Sequence, residues 1–441
     1  MSVKQPEDEF AQQIIRGGTR VLLADKYTKM DYGKLIYLER VNQGLTQKQL
    51  SSGICSITYL SKLENQRMNE PNHETLSLLL EKLHIDYQEQ ASTVTESLIE
   101  MELLYKNLIS KNEINIKKHH KCLKSLSFDI YPDLAIWFDL LSIRYYVYWK
   151  NIQSAEELQK KLSDMINKLD AYQSFYFHYF SGLVHCLKKL FNEGTSYLHE
   201  AEELAKKHNF HDPELFYHLA LTYSHLNHTS LAIYYSQSAK NQFDQSMNIY
   251  RSLDCQVILG INFLRIKRYD NAELVFKDIL SVAHSISNTI TLGKTFHNLG
   301  YLHSEKKNFD EAISYYHKSL KYKDSDTESY YRTVLQLTQV YQQMKEFRKA
   351  EIWVEKALKG NVKENDLKIQ FQLKKLELQA DHHAYYNYIR DIALPYFLKV
   401  NNRKSVKHYA EKAALHHEAN FHYKKANDYY KMILDQGGDS I

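Results

Sequence analysis

The chain has 441 residues, more than one hydrophobic core organises, so two or more structural units are expected. Its 13 glycines and 5 prolines are few for this length and favour long helices, and its 35 tyrosines suit the packing of one helical hairpin on the next. With 57 basic against 53 acidic residues the net charge is +4, which excludes a polycation and confines any nucleic-acid contact to a local patch.

Residues 1–29 carry Asp, Glu, Lys and Arg and have no long apolar run, so they do not read as a signal peptide. They form an extension, disordered or foreign to the first domain, in which Glu7 to Ile15 can make a helical arm. From residue 31 to about 90 the pattern is that of five helices. "YGKLIYLERVN" sets Leu35, Ile36, Leu38 and Val41 on an apolar side. Thr46 is an N-cap for "QKQLSSG", Gly53 a C-terminal stop, and Ser56 an N-cap for "ITYLSKLEN". "NHETLSLLLEKLHI" follows, starting at Asn72 or His73, with Leu76, Leu79, Leu80 and Leu83 inward. The turn Gly53-Ile54-Cys55 between two short helices gives a helix-turn-helix, plugged by Ile54, Leu60, Leu50 and Leu63. Residues 30–86 hold six Lys/Arg against seven Asp/Glu, so a monomer should bind phosphate weakly and need a dimer for specific binding.

After residue 95 the chain repeats, to about 435. The unit "TFHNLGYLHSEKKNFDEAISYYHKSL" has Leu299-Gly300, His303, Ala312, Tyr316 and Ser319. The same offsets recur at Leu259-Gly260, Phe263, Ala272, Phe276 and Ile279, and at Leu219-Ala220, Tyr223, Ala232, Ser236 and Ala239. They recur again at Leu337-Thr338, Tyr341, Ala350, Val354 and Ala357. The markers Tyr105, Ile143, Gly182, Ala220, Gly260, Gly300, Thr338, Leu376 and Ala414 step by 38 to 40 residues and predict about nine helical hairpins. A small marker lets the first helix of a pair meet the second closely. This is a TPR-like pattern, slightly longer than the usual period of about 34. The fold class expected is all-α: a helix-turn-helix domain followed by a right-handed TPR-like α-solenoid.

In such a solenoid the first helix of each pair lines the concave side. Residues two before and one after each marker then face inward: His218 and Leu221, Ile258 and Ile261, Asn298 and Tyr301, Gln336 and Gln339, with Arg144 in an early unit. Lys294 and Arg332 lie further toward the N-terminus on the same stripe. Amides can bond both groups of an extended peptide backbone, and Arg144, Lys294 or Arg332 can hold a carboxylate. A short peptide is the expected ligand; a solvated polar groove is the plain alternative.

No catalytic signature stands out. GxxxxGK[ST] and GxGxxG are absent, and the pairs His119-His120, His382-His383 and His416-His417 lack metal-ligand spacing. No enzyme activity, metal or cofactor is expected. Cys55, Cys122, Cys186 and Cys255 are isolated and fit reduced thiols of the cytoplasm. "LSLLLEKL" is too short to span a bilayer, so no membrane partner is expected. "WFDLLSIRYYVYW" reads as solenoid core.

"LTQKQLSSGICSITYLSKLEN" resembles the Xre/Cro-type helix-turn-helix of lambda-repressor-like proteins, in its Thr-Gln opening and its "YLSKLEN" ending. Joined to a TPR array, it is similar to the RRNPP family of peptide-sensing quorum regulators, and nine repeats look most like the NprR branch rather than the PlcR type. The resemblance implies a homodimer on a pseudo-palindromic double-stranded operator. It implies that Gln47 contacts a phosphate, that Ser56, Ile57, Thr58 and Lys62 contact base edges, and that Tyr59 and Asn65 contact the backbone. It further implies a re-imported signalling peptide as effector, with a higher oligomer open in its presence. Two alternatives stay open: a peptide-controlled module that sequesters a response regulator of the sporulation phosphorelay, as Rap proteins suggest, and a phage- or plasmid-type repressor whose repeats only dimerise.

Overall fold

A computed structural model describes residues 32–65, 72–85, 87–128, 131–400 and 402–435, so the helical arm expected at Glu7 to Ile15 lies outside the described residues. The chain divides into a first unit, Met1–Cys255, and a second, Gln256–Ile441, each described by itself. Every element among the described residues is helical, and no helix among them is long and apolar enough to cross a membrane.

The first unit opens with α1 (Tyr32–Asn42), α2 (Gln47–Ser51), α3 (Ile57–Glu64) and α4 (His73–Lys82) around a core of Leu35, Ile36, Leu50, Leu60, Leu63 and the α4 leucines. The caps are local chemistry. Thr46 and Gln49 form a capping box. Ser56 Oγ accepts from the Tyr59 N–H at 3.1 Å and Asn72 Oδ1 from the Thr75 N–H at 2.9 Å. Gly53 stops α2 at φ +81°, where a side chain would be strained. The α2 end is also held from a distance: Lys82 Nζ donates to Gln49 O at 2.9 Å and Ser52 O at 2.8 Å.

One inward assignment is wrong. Val41 is half exposed, and its neighbour Arg40 is buried instead. Arg40 follows Ile36 by one turn, so it shares the core-facing stripe, and Glu64 neutralises it there. A further difference concerns the fifth helix. α5 (Tyr87–Ser110) runs unbroken for 24 residues through the point where the sequence reading ended one domain and began the next.

α5 pairs with α6 (Glu113–Lys124), α7 (Pro132–Tyr148) with α8 (Ile152–Ser163), α9 (Ala171–Leu187) with α10 (Phe191–His208), and α11 (Pro213–His225) with α12 (Thr229–Gln245). α13 (Ile249–Arg265) carries the division between the units and precedes α14 (Tyr269–Ser285). In the second unit α15 (Thr289–Glu305) pairs with α16 (Phe309–Lys321), α17 (Glu328–Gln343) with α18 (Phe347–Lys359), and α19 (Asn365–Leu378) with α20 (His382–Tyr388). After a π turn at Ile389–Ala393 come α21 (Leu394–Lys399) and the last pair, α22 (Arg403–Ala419) and α23 (Tyr423–Asp435). With α13 and α14, which meet where Gly260 faces Phe276, the described residues hold nine pairs, in line with the about nine expected from the repeat. The π turn sits just before Pro395, which lacks the N–H that a regular turn needs.

The repeat residues do what their sizes suggest. A Cβ on Gly260 would lie 2.5 Å from Phe276 Cε1, and one on Gly300 would lie 2.6 Å from Tyr316 Cδ1. The aromatic ring of each second helix thus lies flush on the first helix, beside the fully buried Ala272 and Ala312. Within pairs the chain turns through left-handed residues at matching places, among them Lys150, Lys189, Asn227, Lys267, Lys307 and Lys345. The aromatic stretch of α7 is packed as core: Trp137 is buried, and Tyr145 stacks on His120 with centroids 3.7 Å apart.

Candidate DNA and peptide interfaces

On α3, Thr58, Lys62 and Asn65 follow one another at i, i+4 and i+7 and are exposed, as is Ile57 at the helix start. Ser56 is exposed too, with its hydroxyl occupied as the cap of α3. Asn65 closes the helix, donating from Nδ2 to Ser61 O at 2.7 Å. Tyr59 is half buried, and its hydroxyl accepts the Asn72 N–H at 2.9 Å, tying α3 to the start of α4. Gln47 is half buried, and its Nε2 donates to Glu64 Oε2 at 2.7 Å. The same carboxylate receives Arg40 Nε at 2.6 Å and Nη2 at 2.9 Å, while Arg40 Nη1 donates to Leu45 O at 2.7 Å. Glu64 raises the Arg40 guanidinium further above its ordinary value. Arg40 and Lys82 are thus engaged within the fold, whereas Lys48 and Lys62 are exposed.

The groove candidates of the first unit are not free-standing. Arg144 on α7 is buried, and its Nε has no hydrogen-bond partner among the described residues. His218 on α11 is half buried, with Nδ1 2.7 Å from Tyr179 Oη and 2.8 Å from Glu214 O. Burial and then the nearby Arg144 and Arg251 pull its imidazole well below the ordinary range. Both belong to a larger ionic cluster. Arg251 Nη2 donates to Glu214 Oε2 at 2.6 Å and Nη1 to Asp254 Oδ2 at 3.1 Å, where Lys111 Nζ also arrives at 3.1 Å. Tyr105 Oη and Tyr176 Oη donate to Asp212 Oδ2 at 2.6 and 3.2 Å. Burial pushes the Asp212 and Glu214 carboxyls up, opposed first by the Tyr105 hydroxyl at Asp212 and by Arg251 at Glu214. Glu214 and Asp254 stand at the same offset before their markers, Ala220 and Gly260, as Lys294 and Arg332 do before theirs. That register is the signal in the sequence that points to Glu214 and Asp254.

In the second unit Lys294, Asn298 and Tyr301 lie along α15, with Lys294 and Tyr301 exposed and Asn298 half buried. Arg332, Gln336 and Gln339 lie along α17; Gln336 is half buried and the other two are exposed. Arg332 is engaged, with Nε 2.7 Å from Glu328 Oε1 and Nη2 3.5 Å from Asp366 Oδ2.

Comparison with known proteins bears on both halves. A helix-turn-helix family model matches residues 36–90, and a tetratricopeptide-repeat model matches residues 293–326. The transcriptional activator NprA of Geobacillus stearothermophilus is 30% identical over 399 residues, which cover 87% of this chain and 97% of that protein. The chain belongs to the RRNPP family of peptide-sensing regulators. Within that family, regulatory protein RapD of Bacillus subtilis (strain 168) is 25% identical over 329 residues, 72% of this chain and 92% of RapD. Two solved structures share the fold. The apo form of the quorum sensor NprR from B. thuringiensis has a TM-score of 0.64 at 21% identity, covering 80% of this chain and all of that one. NprR in complex with its cognate peptide NprX has a TM-score of 0.61 at 22% identity and the same coverage of this chain.

The α3 face is short, polar and projects Thr58, Lys62 and Asn65 outward. The repeat stripes carry amides and charges on successive first helices, many already in contact with one another.

Proposed function

We propose that this chain is a peptide-controlled transcription regulator. It acts as a homodimer whose two α3 helices enter successive major grooves of a pseudo-palindromic operator. Its repeats hold a short signalling peptide in extended form. The observation that carries this reading is the 30% identity with NprA, an activator by name, through 97% of that protein. The capped helix-turn-helix with its exposed α3 face supports the DNA half, and the likeness to NprR, also solved with the peptide NprX, supports the peptide half.

The electrostatics favour control by assembly. One helix-turn-helix with so few uncommitted cations gains little from counterion release, and a dimer doubles that gain. The peptide shifts the balance only through unequal affinities for two arrangements of the repeats. In this mechanism it changes their pitch or the dimer contact and so the spacing of the two α3 helices. The test is selection of duplexes from a random pool by the full chain, with and without short peptides from culture medium. Enrichment of a two-fold symmetric site, altered by peptide, is the expected result; failure to enrich any symmetric site removes the operator reading.

A second reading draws on the 25% identity with RapD over 92% of its length. The same repeats would sequester a response regulator when peptide is absent. Co-purification of a receiver domain with peptide-free protein alone would favour it. No catalytic step is proposed for the chain.

A further inference from the structure

Lys323 lies between α16 and α17 in the second unit, and the packing admits it by design of a single glycine. A Cβ on Gly293 would meet Lys323 Cγ at 3.2 Å and Tyr322 O at 3.3 Å. Ser319 Oγ donates to Gly293 O at 2.7 Å and fixes this close approach of α15 to the end of α16. The half-buried ammonium then donates to Ser329 O at 3.0 Å and to Thr333 Oγ1 at 2.7 Å. Thr333 gives its own proton to Ser329 O at 3.0 Å, so its oxygen also accepts from His297 Nδ1 at 3.0 Å.

Both acceptors of Lys323 are neutral oxygens, and no ion pair joins it to a carboxylate among the described residues. Its charged neighbour is another cation. Burial, and then Lys294, bring its ammonium down to about 8. Arg332 is close enough to act with Lys323 on His297, but its own guanidinium is taken by Glu328 and Asp366. A desolvated ammonium held on neutral oxygens is half of an ion pair, since buried charge is ordinarily matched by opposite charge. An ammonium has three protons, and two are used here.

We propose that Lys323 is the anchor for a carboxylate of the signalling peptide, with Thr333 and Ser329 holding the ammonium in place. This rests on the peptide-binding reading above. The helices on either side, α15 and α17, carry Asn298 and Gln336, whose amides suit the backbone of the same peptide. The ligand class is therefore narrowed from any short peptide to one presenting a carboxylate, at its C-terminus or on an acidic side chain.

The experiment uses the full chain and two probes: a random hexapeptide library with free C-termini, and the same library amidated. Retained peptides are sequenced and their affinities measured for the unaltered protein, Lys323→Gln and Lys323→Arg. Glutamine removes the charge and keeps an N–H donor on a slightly shorter side chain. The unaltered protein and Lys323→Arg should retain carboxylate-bearing peptides, and Lys323→Gln should bind them about tenfold or more weakly. Enrichment lost on amidation assigns the terminus, and Asp/Glu enrichment that survives amidation assigns a side chain; both support the anchor. Equal affinity for Lys323→Gln, or no carboxylate bias in the retained peptides, overturns it. Retention of no peptide by the unaltered protein overturns the peptide-binding reading and the anchor with it. A second measurement is independent of folding in the variants: NMR of 13Cε-labelled lysines in the unaltered protein, which keeps all three ammonium protons. The Lys323 ammonium should titrate higher with a retained peptide present, and an unmoved titration overturns the anchor.

Discussion

Replacing Glu64 by alanine should unfold the helix-turn-helix and spare the repeats. The Glu64 side chain is 2% exposed and that of Arg40 11%. Its loss removes the acceptor for Arg40 Nε, Arg40 Nη2 and Gln47 Nε2 at once and leaves the guanidinium with Leu45 O. Breaking a buried ion pair in this way costs about 3–5 kcal/mol, because the remaining charge stays desolvated. A domain the size of residues 32–85 has roughly 3–8 kcal/mol of stability in total. Between roughly two fifths and all of it is therefore lost. Amide hydrogen exchange is the assay, because it reads α1 to α4 separately from α9 to α18. Protection in α1 to α4 should fall by two or more orders of magnitude while the repeats stay unchanged, and operator retention should vanish with it. A double variant, Arg40→Met with Glu64→Leu, removes both charges and should recover most of the protection. If Glu64→Ala leaves α1 to α4 protected to within about tenfold, the pair is not sustaining the fold and the reasoning fails.

Gly300→Val should destabilise the second unit by about 1–3 kcal/mol, because the new side chain enters the ring of Tyr316, and Tyr316→Leu in the same chain should restore part of the loss in a thermal melt. His297 is held neutral: burial, and then Lys323 and Arg332, bring its imidazole from 6.5 to about 3. The unfolded chain then binds the extra proton, so this contribution is complete above pH 6.5 and declines as pH falls from 6.5 toward 3. It amounts to about 2 kcal/mol between pH 6.5 and 5, and His297→Gln should flatten the dependence of melting temperature on pH over that window. Lys62→Ala and Thr58→Ala should each relax sequence preference at the base pair that residue meets, at a cost of about 1–3 kcal/mol, as read from duplexes selected by each variant. An unchanged selection profile for the Lys62 variant would remove that residue from the base contacts.

Much of the architecture was legible because it is written in short-range chemistry. Thr46, Ser56 and Asn72 cap helices by bonding N–H groups three residues away, and a cap needs no distant partner to be recognised. Gly260 and Gly300 recur at fixed offsets from Ala272 and Ala312, and the observed contacts need that spacing. The exposed α3 face follows from helical periodicity once its cap is known. The charges were harder. Periodicity says that Arg40 and Ile36 share a stripe, but an unpaired arginine belongs in water, so the sequence alone favours Val41 as the inward residue. Only Glu64, 24 residues away, reverses that preference.

The same limit governs the candidate peptide stripe. The repeat register turns Arg144 and His218 toward a groove, but His218 bonds to Tyr179 on another helix and Arg144 lies buried close enough to act on its imidazole. Tyr105 meets Asp212 across 107 positions and Lys111 meets Asp254 across 143. Lys323 falls in a connection between helices, outside any repeat offset, and stands out only when its neighbours prove to be neutral oxygens and another lysine. The sequence by itself determined the helices, their pairing and the exposed face of α3, because caps, periodicity and small-residue spacing act within a few turns. The tertiary structure alone decided which charges are neutralised, because a side chain's electrostatic partner depends on which distant helix is brought beside it, and desolvation then sets the cost of having none.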